Sequence, residues 1–295
     1  METQTISVKK FLLNYFKTIL YLSIFLSIIL LIIYYFNPQY IKDFTLQEDS
    51  SLLFIYFLVG FVAQTIDGAL GMGYGITCTS ALISSGVPPA LASASVHIAK
   101  LFTSGSSGFF HWKLGNVDKK LFKRLAIPGS IGAGVGAYFL SSFDGEKIKP
   151  YISTYLVIMG IIVIVKAFKT VALKQPKKVG FLAFTGGFVD ASGGGGWGPV
   201  VTTTLLARGN NPTKTIGTVN AVEFVITVFA SGIFTVLLGV ENSEIIAALI
   251  IGGLIASPFG AIIIHYINRK WSMVAVGILI IFLGFRTILK SFGMI

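Results

Sequence analysis

The sequence DGALGMGYG, Asp67 to Gly75, interrupts a long apolar segment with four glycines and one acidic residue. A glycine in a helix interior costs about 1 kcal/mol relative to alanine. So dense a run of glycines is expected to end one helix and to precede the start of another. The acidic residue needs a partner, because apolar surroundings do not solvate its charge. The stretch therefore predicts a broken helix that carries a polar site.

The composition indicates a membrane protein. Of the 295 residues, 54% are hydrophobic, and the mean hydropathy of +0.82 exceeds what a soluble domain can bury. Thr18–Phe36 is a 19-residue run without a charge, long enough to cross about 30 Å of hydrocarbon. No small-residue cleavage site follows it, so we interpret it as a retained leader helix. The single cysteine, Cys78, excludes an internal disulfide, and we expect neither a metal site nor a cofactor.

An internal repeat divides the rest of the chain into two halves. The stretch DASGGGGWG, Asp190 to Gly198, repeats the first stretch at an offset of 123 residues, and the alignment holds without a gap from Phe61 to Val96. The identical pairs are Phe61/Phe184, Asp67/Asp190, Gly71/Gly194, Gly73/Gly196, Gly75/Gly198, Thr79/Thr202, Leu82/Leu205, Gly86/Gly209, Pro89/Pro212 and Val96/Val219. The predicted units are residues 1–50 (leader helix and external loop), 51–178 (repeat 1) and 179–295 (repeat 2).

Six further apolar segments predict spanning helices, because only helices or closed barrels satisfy every backbone group in lipid. These segments are Leu91–His111, Leu125–Phe143, Tyr151–Val165, Thr215–Gly239, Ile245–Tyr266 and Trp271–Phe285.

Basic residues assign the loops to a side of the membrane. Three lysines before the leader helix place the N-terminus in the cytoplasm. The segment Lys113–Arg124 carries five basic residues, and it is cytoplasmic only if each glycine-rich segment enters and leaves by the same side. With that assignment 17 basic residues lie inside and five outside, and two of the five, Arg286 and Lys290, are expected to snorkel to the interface.

These observations predict an all-α, polytopic protein of the cell membrane. Each repeat is expected to contain a re-entrant pair of short half-helices, broken at glycines, and three spanning helices. Three crossings are an odd number, so the two repeats are expected to be inverted relative to each other. Inverted repeats with broken helices recur in secondary transporters.

The glycine breaks are candidate binding sites for a small anion. A turn inside the membrane frees backbone N–H groups, and helix N-termini carry partial positive charge. The alternative is that the glycines only allow close helix packing. The candidate binding residues are the break glycines and nearby polar side chains: Gly71, Gly73, Gly75, Thr77, Thr79, Ser95, His97, Gly194, Gly196, Gly198, Thr202, Thr203, Thr218 and Asn220.

Four charged residues remain at membrane depth: Asp67, Lys100, Asp190 and Glu223. Each would cost at least about 2.5–3.5 kcal/mol in lipid, so all four are expected to face protein, water or a partner. Lys100 and Glu223 are equivalent in the two repeats and are expected to form an ion pair across the axis between them; otherwise Lys100 snorkels. The two aspartates cap the half-helices or carry a coupling proton. His97 is an anion donor, a proton carrier or a buried core residue.

Three longer stretches resemble the sulfite exporter TauE/SafE family of permeases. They are GALGMGYG followed by SSGVPPALASAS, then HWKLGNVDKKLFKRLAIPGSIGAGVGAYF, and then GGGGWGPVVTTTLLARGNNPTKTIGTVN. The resemblance extends from about Phe57 to Ile288 and implies transport of sulfur-containing anions such as sulfite, sulfoacetate or related organosulfonates.

The leading hypothesis is therefore a transporter of alternating-access type for a small anion, embedded in the lipid bilayer. An anion channel and a membrane-embedded enzyme are the alternatives, although the chain has neither an H-E-x-x-H nor a G-x-S-x-G motif. A homodimer is plausible through lipid-facing helices. The net charge of +11 lies in short loops between spans, so no nucleic-acid partner is expected.

Overall fold

The computed structural model describes residues 50–168, 178–207, 210–263 and 269–294. The predicted leader helix, the three lysines before it and nearly all of the first loop lie outside these residues. Within them every regular element is helical. The helices are α1 (Ser50–Leu70), α2 (Tyr74–Ser84), α3 (Pro89–Lys113), α4 (Lys119–Ser141), α5 (Gly145–Ala167), α6 (Val179–Gly193), a π-helical turn (Gly198–Thr202), α7 (Thr203–Ala207), α8 (Pro212–Leu238), α9 (Ser243–Ile263) and α10 (Arg269–Ser291).

The six predicted spanning segments coincide with α3, α4, α5, α8, α9 and α10 to within six residues at every described end. The predicted end of the fifth segment, Tyr266, lies outside the described residues. Among the described residues, five helices are long and apolar enough to cross a membrane, in α1, α5, α8, α9 and α10. Helices α3 and α4 have comparable lengths, but Ser, Gly and Lys residues lower their hydropathy. The protein is thus an all-helical, polytopic membrane protein.

Helix α1 differs from the short half-helix that the sequence predicted. It has 21 residues, which at 1.5 Å per residue is about 31 Å, the thickness of a bilayer core. It contains no proline, so nothing ends the helix before the first break glycine. Its counterpart in the second half, α6, has 15 residues, and the two members of the repeat are unequal in length.

Both breaks occur at glycines with left-handed backbone. Gly71 has φ +67° and Gly194, its equivalent, has φ +72°. This conformation is costly for residues with a Cβ, so these two positions require glycine. The chain resumes a helix after two or three residues, at Tyr74 in the first half and at Gly198 in the second.

Equivalent helices of the two halves pack against each other and run antiparallel. In the pair α3 and α8, the His97 ring lies 5.5 Å from that of Phe234, whereas Gly108 lies against Ala221. As the residue number rises on α3, it therefore falls on α8.

The pair α5 and α10 has the same antiparallel relation. Gly160 lies against Gly277, and Ser153 lies against Gly284.

Two further pairs join the halves, and these run parallel. On α4 and α6, Gly132 lies against Phe184 and Gly136 against Phe188, so closely that a Cβ on either glycine would clash with backbone. On α1 and α9, Gly60 lies against Leu249 and Gly68 against Gly260. Since α1 is equivalent to α6, and α9 to α4, these two contacts are equivalent as well.

Candidate functional site

The two glycine breaks meet inside the helix bundle. Gly75 lies against Gly195, where a Cβ on residue 75 would be 3.0 Å from the Cα atom of residue 195. Thr79 Oγ1 donates to the Gly194 carbonyl at 2.5 Å, and Thr202 Oγ1 donates to the Gly71 carbonyl at 2.6 Å. A carbonyl freed at each break is thus satisfied by a threonine of the other half. The hydroxyl protons of both threonines are used in these bonds, which leaves their oxygen lone pairs for other partners.

Each membrane aspartate accepts from backbone N–H groups just beyond its own break. Asp190 Oδ1 accepts from Gly196 N at 2.9 Å and from Trp197 N at 3.0 Å. Asp67 Oδ1 accepts from Tyr74 N at 3.2 Å. These N–H groups are among those expected to hold an anion, and in the structure the two carboxylates take that place.

A buried ion network connects three helices beside the breaks. Lys100 Nζ lies 2.7 Å from Glu223 Oε1 and 3.0 Å from Asp190 Oδ2, and the three side chains are at most 5% exposed. Lys100 therefore does not reach an interface, and it faces its equivalent residue in the other half. Sequence reasoning paired Lys100 with Glu223 and missed the second carboxylate, because α6 and α3 are not related by the repeat.

His97 joins the same network. Its Nε2 lies 3.2 Å from Asp190 Oδ2, and its Nδ1 lies 2.8 Å from the Ser93 carbonyl, which can only accept. Both ring nitrogens thus face oxygen acceptors, and this geometry accommodates a ring with two N–H groups. Lys100 Nζ and His97 Nε2 thus both lie against the same carboxylate oxygen, Asp190 Oδ2.

Polar side chains continue this network along the contact between α3 and α8. Ser107 Oγ donates to Asn220 Oδ1 at 3.0 Å, and Ser104 Oγ donates to Glu223 Oε2 at 3.3 Å. The α3 residues in these bonds are fully buried, which explains why α3 is too polar to qualify as a span by hydropathy alone.

The remaining expected residues are placed differently. Thr77 and Ser95 are buried on α2 and α3. Thr203 Oγ1 donates to the Pro199 carbonyl and receives a bond of 2.6 Å from Lys166 Nζ. Thr218 accepts from Asp118 N at 2.8 Å, so it lies beside the α3–α4 loop and away from the breaks.

Tyr155 on α5 is a site residue that sequence reasoning missed. Its hydroxyl donates to the Gly195 carbonyl at 2.6 Å, and a Cβ on Gly196 would lie 2.7 Å from the hydroxyl oxygen. A tyrosine inside an otherwise apolar span was the signal that could have identified it, because a buried phenol needs a hydrogen-bond partner.

Arg286 and Lys290, which the sequence assigned to an interface, contact the C-terminal end of α2. Arg286 Nη1 donates to Ser84 Oγ at 2.7 Å, and Lys290 Nζ donates to the Ser84 carbonyl at 3.4 Å. A polar cavity of about 240 Å³ lies here between α2, α5 and α10, and Lys149 and Lys290 are among its lining residues. Lys149 and Lys290 thus make this cavity basic.

Long apolar helices around a buried cluster of charges define a polytopic membrane transporter. The chain belongs to the sulfite exporter TauE/SafE family, whose sequence profile matches residues 56–287. It is 43% identical to the "Probable membrane transporter protein YtnM" of Bacillus subtilis (strain 168) over 251 residues, and this alignment covers 81% of this chain and 83% of the relative. No solved structure is significantly similar to this chain. The protein is a membrane transporter and not an enzyme.

Proposed function

We propose that the protein is a secondary transporter that carries a small sulfur-containing anion through a site between the two glycine breaks. The observation that carries this proposal is the reciprocal contact of the breaks beside a fully buried lysine. A buried ammonium is costly unless it is paired. In this proposal the transported anion replaces one of the two carboxylates that pair Lys100 in the structure. The family is described as one of sulfite exporters, so sulfite, sulfoacetate and related organosulfonates are the substrates to test first.

The two halves act as inverted repeats in this proposal. The antiparallel packing of α3 with α8 and of α5 with α10 supports it, because equivalent helices related by an axis in the membrane plane must point in opposite directions. The equivalence of the α4–α6 and α9–α1 contacts supports it further. Rocking of one repeat against the other would then open the site to each side in turn.

The substrate contacts come from both halves. Lys100 and His97 supply charged or strongly polar donors, and the first turns after the breaks supply N–H groups. The other proposed contacts are Gly71, Gly73, Gly75, Thr77, Thr79, Ser95, Gly194, Gly196, Gly198, Thr202, Thr203 and Asn220, with Thr218 closer to the mouth of the path. Asp67 and Asp190 hold the same N–H groups when the anion is absent.

We propose the cytoplasmic face as the location of the N-terminus and of the loop between α3 and α4. That loop and the first turns of α4 carry five basic residues between 113 and 124, which is the expected sign for a cytoplasmic loop. We also propose that the protein forms a homodimer in the cell membrane, with contact through lipid-facing helices.

Flux measurements with the purified protein in liposomes test the proposal. Radiolabelled sulfite is expected to enter with saturable kinetics, and unlabelled sulfite trapped inside is expected to accelerate its entry by exchange. A current that grows linearly with sulfite concentration, without exchange, would identify a channel instead. No sulfite or sulfonate flux above empty liposomes would contradict the proposal.

Two lysine variants test whether sulfite flux depends on the buried site. Lys100→Met removes the buried ammonium and is expected to abolish exchange. Lys147→Met is the matched control, because the Lys147 side chain is 86% exposed and its partner is the exposed Asp144. Equal rates in the two variants would place the substrate path elsewhere.

A further inference from the structure

The two membrane aspartates have the same position in their repeats but opposite surroundings. Asp190 contacts Lys100 and His97 on α3. Exchanging the two halves converts Lys100 into Glu223 and His97 into Asn220. The residues equivalent to the two donors beside Asp190 are thus a carboxylate and an amide.

Asp67 also has an unsatisfied oxygen. Its Oδ1 accepts from Tyr74 N, but its Oδ2 is buried without a hydrogen-bond partner among the described residues. Asp67 is only 1% exposed. Gln64, three residues earlier on the same helix, likewise has both polar side-chain atoms unpartnered within the described part of the chain. A buried ionised acceptor without a donor is costly, and a proton on Asp67 Oδ2 would remove that cost.

The charges of the network lead to the same conclusion. Asp67, Asp190 and Glu223 contribute three carboxylates. Lys100 contributes one positive charge, and His97 a second when both of its ring nitrogens carry protons. The cluster is then one positive charge short of neutrality, in a place where an uncompensated charge is expensive.

We propose that Asp67 and Glu223 hold one exchangeable proton, and that this proton crosses the membrane together with the transported anion. The proton binds Asp67 Oδ2 when the site faces one side and leaves from the same oxygen when it faces the other, so no bond other than O–H forms or breaks. The inference rests on the proposed transport function. Anion and proton stabilise each other's binding, because the anion adds negative charge to the cluster and the proton removes it.

A proton fits this corner better than a metal cation. A hard metal ion needs several oxygen ligands, and in the described residues no group of three or more His, Cys, Asp or Glu side chains could hold one. A proton needs one oxygen, which Asp67 Oδ2 provides.

Other titratable groups also surround Asp67, and the experiment must separate them from it. Helix α3 contributes Lys100, His97 and His111, and His111 Nε2 lies 3.0 Å from the Gly68 carbonyl. Helix α2 contributes Tyr74 and Cys78, α6 contributes Asp190, and α8 contributes Glu223. From α9 and α10, the residues packed at the break are the uncharged Gly260 and Val276.

The test is accumulation of radiolabelled sulfite in liposomes under an imposed pH gradient, with the membrane potential clamped at zero. A coupled proton is expected to raise the accumulation ratio about tenfold for each pH unit of gradient. Asp67→Asn keeps the acceptor for Tyr74 N and imitates the protonated acid. The exchange rate of this variant without a gradient serves as its own reference, and the accumulation driven by the gradient is expected to be lost. Glu223→Gln, compared with its own exchange rate, is expected to lose the accumulation as well. Asp144→Asn, at an exposed position, is expected to respond like the wild type.

Each outcome decides the inference. If the wild-type protein exchanges sulfite but the accumulation of sulfite does not depend on the pH gradient, proton coupling is wrong and the proposed transport function remains. If the pH gradient drives sulfite accumulation in Asp67→Asn and Glu223→Gln as strongly as in the wild type, another group carries the proton, for example sulfite itself. If only His97→Gln loses the response, the carrier is His97. If transport stops when choline replaces sodium, sodium is the coupling ion and the inference is overturned. If the wild-type protein shows no exchange at all, both the inference and the proposed transport function are contradicted.

Discussion

Lys100 is the position where a single substitution should have the largest effect. Its ammonium touches two carboxylates, at 2.7 Å and 3.0 Å, in a site where no side chain is more than 5% exposed. Lys100→Met leaves Glu223 and Asp190 buried with less compensation. Loss of one partner of a buried ion pair typically costs about 3–5 kcal/mol. For a chain of this size each kcal/mol lowers the melting temperature by about 2–4 °C, so the expected decrease is about 6–20 °C.

The assay is thermal unfolding of purified protein in detergent, followed by intrinsic fluorescence. Glu223→Gln is expected to cost less, about 1–3 kcal/mol, because Lys100 retains Asp190. Adding Asp190→Asn and Glu223→Gln to Lys100→Met should recover part of the stability, since the two carboxylates that Lys100 contacts are then replaced by neutral amides. The simple exchange Lys100→Glu with Glu223→Lys should rescue little, because it places a glutamate beside Asp190. A melting temperature of Lys100→Met within 1 or 2 °C of the wild type would refute this reasoning.

The reciprocal threonine bonds predict that Thr79→Val and Thr202→Val each cost about 1–3 kcal/mol, because each leaves a break carbonyl unsatisfied. The control is Thr204→Val, whose hydroxyl bonds to the Val200 carbonyl four residues earlier in the same half; a smaller loss than in that control would argue against the contact between the breaks. Gly132→Ala would bring a Cβ within 2.0 Å of the Phe184 carbonyl oxygen and is expected to destabilise by about 1–3 kcal/mol. Gly232→Ala, which meets nothing within 4 Å, should stabilise by about 0.5–1 kcal/mol in the same melting assay, and equal effects of the two would exclude the close contact of α4 with α6. Asp118→Ala removes the acceptor for Lys120 N and Leu121 N at the start of α4 and should cost about 0.5–2 kcal/mol, a loss that Asp118→Asn should largely avoid.

Most of the correct predictions about the fold and the site came from the internal sequence repeat. The offset of 123 residues paired Lys100 with Glu223, and the structure places that ion pair in the core. The glycines of both repeats predicted the helix breaks, because positive φ is a local property that a glycine makes possible at low cost. The family expectation, based on the same glycine-rich stretches, is confirmed by the profile match.

Contacts between non-equivalent helices could not be predicted in this way. Asp190 reaches Lys100 and His97 because α6 lies beside α3, and no sequence offset relates those residues. Tyr155 reaches a break from α5 for a similar reason. The length of α1 was also missed, because the residues before the first break were interpreted as a short half-helix of a re-entrant pair.

The proposed transport site depends on the opposite orientation of the two halves, and cysteine labelling tests this orientation most directly. In a Cys78→Ala background, Leu114→Cys and Val240→Cys introduce thiols in equivalent loops, where the native side chains are 43% and 57% exposed. A membrane-impermeant maleimide, applied to intact cells and to inverted vesicles, is expected to reach these two positions from opposite sides. Labelling of both positions from the same side would contradict inverted repeats and the anion site between their breaks.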